Sequence, residues 1–171
     1  MHYFLLGPSG VGKTYFGNWL QANRQYLHIL IDRPDEQDGL DVENLREPWN
    51  KLKQGNPAPF ADELQERAKT KKGCVLTFWS IIFCPLDGIK LLAKHNIAVK
   101  YLYGPKKFCI KTFVDRDKEK LPKRDGAFWH NVNPYYEEMG ADELAPYRAD
   151  AINSLGERLS PEKIAKRLGI S

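Results

Sequence analysis

The run Gly7-Pro8-Ser9-Gly10-Val11-Gly12-Lys13-Thr14 follows the pattern glycine, any four residues, glycine-lysine-threonine, and no other feature restricts the folding of this chain as much. Gly7, Gly10 and Gly12 admit backbone conformations that a side chain hinders, so successive N–H groups can turn inward around the oxygens of an anion. The pattern carries this meaning when it joins a strand to a helix. Both flanks qualify. His2 to Leu6 is a short apolar-rich segment that reads as a buried strand, and Lys13 to Ala22 reads as a helix with Phe16, Trp19 and Leu20 on one face. The positive end of that helix dipole faces the same anion. Gly7, Pro8, Ser9, Gly10, Val11, Gly12, Lys13 and Thr14 are therefore expected to bind the phosphates of a nucleoside triphosphate. Lys13 is expected to reach the β- and γ-phosphates, and Thr14 to offer its hydroxyl to Mg2+.

Downstream, apolar strands alternate with amphipathic helices. Tyr26–Ile31, Cys74–Trp79 and Ile97–Tyr103 read as strands, with a short fifth at Tyr147–Asn153. Helices are expected over Asp41–Lys53, where Pro48 must start a new helix or kink this one, and over Phe60–Lys71, Pro85–His95 and Lys106–Lys120. Leu121–Met139 reads as irregular and aromatic-rich. Ser160-Pro161 is a helix start, an N-cap serine with proline at the first helical position, and Gly169 is the stop. Alternation at this spacing implies an α/β fold: a parallel sheet of about five strands with helices on both faces. With 171 residues and no plausible linker, residues 1–171 are expected to form a single domain.

Composition narrows the class further. The longest apolar stretch, Gly73 to Pro85, is too short to span a bilayer and contains Thr77 and Ser80. The first apolar residues run straight into the phosphate-binding loop, so no leader and no membrane partner are expected, and the cytoplasm is the expected compartment. Net charge is +4, but acids interleave with bases in Asp115-Arg116-Asp117-Lys118-Glu119-Lys120, which is not a nucleic-acid-binding stripe. Cys74, Cys84 and Cys109 are widely spaced in apolar surroundings, the pattern of reduced structural thiols and not of a zinc site.

A phosphate-binding loop within ten residues of the start, a short chain and a late basic segment resemble the P-loop small-molecule kinases. In layout the chain is similar to the shikimate kinase and gluconate kinase families and to the nucleoside monophosphate kinases. The resemblance implies a three-layer P-loop NTPase fold, ATP and Mg2+ as cofactors, a substrate-binding segment over about 33–70 and a lid over about 112–140. It implies that Asp32, at the end of the second strand, positions metal and acceptor hydroxyl. Arg33, Asp35, Arg46 and Arg148 become candidates for substrate binding, and Lys111 for the adenine ring. Arg124 and then Arg116 are the candidates that close over the transferring phosphoryl group, because an arginine fork matches phosphate geometry. The sequence departs from shikimate kinases in the spacing from Asp32 to Asp35 and in lacking glycines after the third strand, where Thr77-Phe78-Trp79-Ser80 stands.

The expected activity is transfer of the ATP γ-phosphoryl group to a small-molecule hydroxyl on a sugar acid or polyol-like metabolite. A nucleoside monophosphate is the alternative acceptor, since the aromatic run Phe128–Tyr136 suits a second base. The alternative of another class is a catalytically weak nucleotide-binding regulatory protein. A GTPase switch is disfavoured, because neither Asn-Lys-x-Asp nor a third-strand Asp-x-x-Gly occurs.

Overall fold

The computed structural model describes residues 1–31, 45–78, 85–116, 136 and 142–171. The chain runs β1 (His2–Leu6), α1 (Lys13–Arg24), β2 (Tyr26–Ile31), α2 (Arg46–Lys53), α3 (Ala58–Ala68), β3 (Gly73–Phe78), α4 (Leu86–Lys94), β4 (Ile97–Tyr103) and α5 (Lys106–Arg116). A 3-10 turn over Asp142–Tyr147, β5 (Arg148–Asp150) and α6 (Pro161–Leu168) complete it. The five strands form one sheet in the order β2-β3-β1-β4-β5. β3 pairs in parallel with both β1 and β2, in registers such as Phe4 with Leu76 and Ile29 with Leu76, and β4 pairs in parallel with β5. The alternation of strands and helices thus gives the expected α/β class, since parallel neighbours need crossover connections.

Local chemistry explains the element ends. Pro48 is the third residue of α2, in the first turn, where a backbone N–H has no intrahelical partner, so it opens the helix and does not kink it. α3 begins at Ala58, two residues before the apolar pattern suggests, because Pro59 fits the first turn for the same reason. It stops at Ala68, where Lys69 takes a φ of 41°. Ser160 caps α6 by accepting a hydrogen bond from the Lys163 N–H at 3.4 Å, and Gly169 ends it at a φ of 66°. The fifth strand is only Arg148–Asp150, shorter than its apolar flanks imply. Residues 41–44, 79 and 117–120, which the sequence assigns to elements, lie outside the described residues, as does 121–139 apart from Tyr136.

The fold divides into two compact units. The first holds the described residues of 1–5, 14–78 and 84–99, and its core centres on four rings from β1, α2, α3 and β3. Phe4 lies 4.8 Å from Phe78 and 5.7 Å from Phe60 between centroids, and Trp49 lies 5.3 Å from Phe78 and 5.8 Å from Phe60. The three edge-to-face pairs and the stacked Trp49–Phe78 pair add to the apolar area that each ring buries. β3 is buried along its whole length, as its unbroken apolar sequence requires for a strand covered on both faces.

The second unit holds the described residues of 6–13 and 100–171. Its core is built from Leu102, Cys109, Phe113, Leu144 and Ile152 with the apolar stripe Ile164, Ala165 and Leu168 of α6. Among the described residues no helix is long and apolar enough to cross a membrane.

Candidate phosphate-binding site

β1 delivers the chain to the loop and α1 receives it, the arrangement that gives the glycine pattern its meaning. Every residue of β1 is buried, and Val11 at the loop's turn is also fully buried. The strand end and the loop are thus anchored by apolar contacts, while the Val11 N–H closes a turn on the Pro8 carbonyl at 3.3 Å.

Two glycines are required twice over. Gly10 has a φ of 82° and Gly12 a φ of 106°, which L side chains rarely adopt. A Cβ at position 10 would stand 2.1 Å from the carbonyl oxygen of Cys109, and one at position 12 would stand 2.4 Å from Nη1 of Arg158. The space that a Cβ would fill is taken up by close packing, which leaves a bare backbone cradle whose N–H groups suit phosphate oxygens.

Lys13, the first residue of α1, is only 8% exposed, and its ammonium donates to the carbonyls of Gly7 at 2.7 Å and Pro8 at 3.2 Å. The charge is thus held over the opening residues of the loop by partners that an anion can compete with. No acid occupies the first turn of α1, so nothing in that turn cancels the positive end of its dipole. Thr14 follows on the same turn with its hydroxyl as an oxygen donor suited to Mg2+, an ion that binds through few protein oxygens together with phosphates and water. No group of three or more His, Cys, Asp or Glu residues that could hold a metal occurs among the described residues.

The underside of the loop is occupied by Arg158, which the sequence does not single out. Its guanidinium donates from Nη1 to the Val11 carbonyl and from Nη2 to the Gly10 carbonyl, both at 3.0 Å. The thiol of Cys109, on α5 below Gly10, is fully buried, and burial pushes its pKa up to about 11. Cys74 in the first unit is likewise raised by burial to about 11. Both are free thiols with no depressed pKa, as structural cysteines should be. Cys84 lies outside the described residues.

No protein-family model and no curated protein matches this sequence. Solved structures do match its fold. The gluconokinase of Sinorhizobium meliloti 1021 aligns with a TM-score of 0.51 and 15% identity, covering 98% of this chain and 88% of that one. The tunicamycin resistance protein of Deinococcus radiodurans aligns at 0.56 and 16%, covering 99% and 96%. A shikimate kinase from Bacteroides thetaiotaomicron aligns at 0.53 and 17%, covering 98% and 96%. The chain has the P-loop kinase fold.

Within that fold the other candidates fall as follows. Arg46 is the first residue of α2. Lys111 and Arg116 lie on α5, with Lys111 paired to Asp115 and the Arg116 guanidinium 5.5 Å from the centroid of Phe113. Arg148 opens β5 with its guanidinium 5.1 Å from the ring of Tyr103. Gly7–Lys13, Lys111, Arg116 and Arg148 belong to the second unit, and Arg46 to the first. Asp32, Arg33, Asp35 and Arg124 lie outside the described residues, and so does most of the aromatic run Phe128–Tyr136. Its last member, Tyr136, is buried, with the Lys106 ammonium 5.9 Å from its ring and the Cys109 thiol as its hydrogen-bond partner.

The hydroxyl of Thr77, buried on β3, lies 2.9 Å from His28 Nε2. The missed residues share one property: their partners are remote in sequence. Thr77 is 49 positions from His28, and Arg158 is 147 from Val11. The nearest signal for Arg158 is a basic residue just ahead of the Ser160 helix cap, which surface arginines share.

Proposed function

We propose that this protein is an ATP-dependent phosphotransferase that moves the γ-phosphoryl group to a hydroxyl of a small molecule, a sugar acid or polyol-like metabolite, in the cytoplasm. The observation that carries the reading is the loop itself. Gly10 and Gly12 leave a cradle without side chains, and the buried Lys13 ammonium lies over its opening at the positive end of α1. The shared fold with a gluconokinase and a shikimate kinase supports the same reading.

In this account the N–H groups of Gly7–Thr14 hold the phosphates, and Lys13 exchanges its carbonyl partners for the β- and γ-phosphate oxygens. Thr14 and Asp32 would hold Mg2+, whose positive charge would offset that of the phosphates. Asp32 also orients the acceptor hydroxyl. Arg124 and Arg116 close over the equatorial oxygens, where an arginine fork stabilises charge that develops only during transfer. Lys111 lies against the base. Arg33, Asp35, Arg46 and Arg148 bind the acceptor. Positioning and charge neutralisation supply nearly all of the rate, with little covalent chemistry left for the protein.

The test is ADP formation from Mg·ATP with a panel of sugar acids, cyclic polyols and nucleoside monophosphates. The reading predicts turnover stimulated by at least one hydroxyl acceptor and abolished in Lys13→Ala. Stimulation by nucleoside monophosphates alone would transfer the protein to that kinase class. ATP binding with no stimulated turnover by any acceptor would overturn the kinase reading in favour of a regulatory nucleotide binder.

A further inference from the structure

We infer that Arg158 is a positioning residue of the phosphate site: its fork clamps two loop carbonyls and thereby fixes the two loop peptides, presenting the Gly12 N–H to the phosphates. The inference rests on the nucleotide-binding reading above.

Both terminal guanidinium nitrogens are engaged on consecutive carbonyls, Nη2 on Gly10 and Nη1 on Val11, each at 3.0 Å. A trans peptide is planar, so its C=O and the following N–H point in opposite directions. Holding the Gly10 carbonyl fixes the peptide that carries the Val11 N–H, which turns to Pro8 at 3.3 Å. Holding the Val11 carbonyl fixes the peptide that carries the Gly12 N–H and sends that N–H away from the arginine. Glycine at 10 and at 12 makes these peptides the loop's softest, since neither residue has a Cβ to restrict its rotation. An external clamp therefore acts where the loop has least stiffness of its own. The planar fork suits two adjacent carbonyls, and a lysine ammonium does not reproduce it.

The clamp stands on a rigid support. Residues 151–159 fold back on themselves: Ile152 bridges Arg158, the Asn153 N–H donates to the Glu157 carbonyl at 2.9 Å, and Leu159 donates to Ala151 at 2.9 Å. Asn153 Oδ1 accepts from the Leu155 and Glu157 N–H groups at 3.0 and 2.9 Å, and its amide donates to the Glu157 carboxylate at 2.8 Å. Gly156 packs so closely on Phe108 that a Cβ there would stand 2.5 Å from the ring. Side chains held by such a frame keep their aim without a ligand, which is what preorganisation requires.

The experiment compares wild type, Arg158→Ala, Arg158→Lys and Lys13→Ala, measuring affinity for Mg·ATP and for Mg·tripolyphosphate, with unfolding temperatures taken without ligand. The inference predicts that Arg158→Ala weakens both probes by about tenfold, the worth of a pair of charge-assisted hydrogen bonds at a part-exposed site. Arg158→Lys, which keeps charge and bulk, should lose nearly as much while keeping the wild-type unfolding temperature. Millimolar guanidinium should restore much of the affinity of Arg158→Ala. Three results would each overturn the clamp: undiminished binding by Arg158→Ala, full affinity in Arg158→Lys, or a loss confined to Mg·ATP that leaves tripolyphosphate unaffected. Failure of the wild type to bind either probe is a separate outcome, which removes the nucleotide reading itself.

Discussion

His28 Nε2 lies 2.9 Å from Oγ1 of the buried Thr77, and this contact joins β2 to β3 through side chains as well as through the sheet. The other ring nitrogen, Nδ1, lies 2.7 Å from Oδ1 of Asn18, which can only accept. Nδ1 therefore carries the proton, and Nε2 accepts from the threonine hydroxyl. Gly17 holds the ring in place, since a Cβ there would stand 2.4 Å from it.

The neutral ring makes stability fall in acid. Burial lowers the pKa of His28, and burial followed by the N-terminal charge lowers that of His2, whose Nδ1 accepts from the Cys74 N–H at 3.1 Å. Both groups bind protons less readily folded than unfolded. Stability is therefore full above the ordinary histidine pKa of about 6.5 and is lost as pH falls below it. The one-proton limit is about 1.4 kcal/mol per pH unit for each group. Denaturant unfolding between pH 7.5 and 5.5 should show a decline shallower than two such slopes, and His28→Gln should reduce it. A flat profile would contradict the neutral assignment.

The two loop glycines should fail in different ways. At position 10 a Cβ meets the backbone oxygen of Cys109, which cannot swing aside, so Gly10→Ala should cost about 1–3 kcal/mol of stability, read as a lowered unfolding temperature. At position 12 the obstacle is the end of the Arg158 side chain, which can move. Gly12→Ala should therefore retain more stability than Gly10→Ala yet lose phosphate affinity, because it expels the arginine from its carbonyls. Equal unfolding temperatures with equal affinities would contradict this division.

Phe60 is fully buried within the ring cluster of the first unit. Phe60→Ala should cost about 3–5 kcal/mol and Phe60→Leu much less, by denaturant titration, since the cost follows the cavity left behind. A loss below about 1 kcal/mol in the alanine variant would mean that the cluster repacks freely.

Where the sequence was legible, the cause is local. β1, β2 and β4 have the expected limits because an apolar run between turn residues leaves little choice of boundary. Ser160 and Gly169 bracket α6 because a side-chain cap and a left-handed φ are properties of single residues. The strand–loop–helix around Gly7–Thr14 was legible because a glycine pattern of this kind sits between a strand and a helix. The 3-10 turn at Asp142–Tyr147 was not, since it is short, carries Pro146 inside it and has no helical period to detect. Arg158 and the His28–Thr77 pair were hidden for another reason. Each role depends on a partner brought near only by the fold, and an isolated arginine or histidine carries no mark of its partner.

The central claim is that the loop from Gly7 to Thr14 binds the phosphates of a nucleoside triphosphate, and calorimetric titration of Mg·ATP into wild type and Lys13→Ala tests it most directly. The account predicts saturable one-to-one binding to the wild type and at least a tenfold weaker affinity in Lys13→Ala, whose unliganded fold persists. Equal affinity in the two proteins, or no binding to the folded wild type, would contradict it.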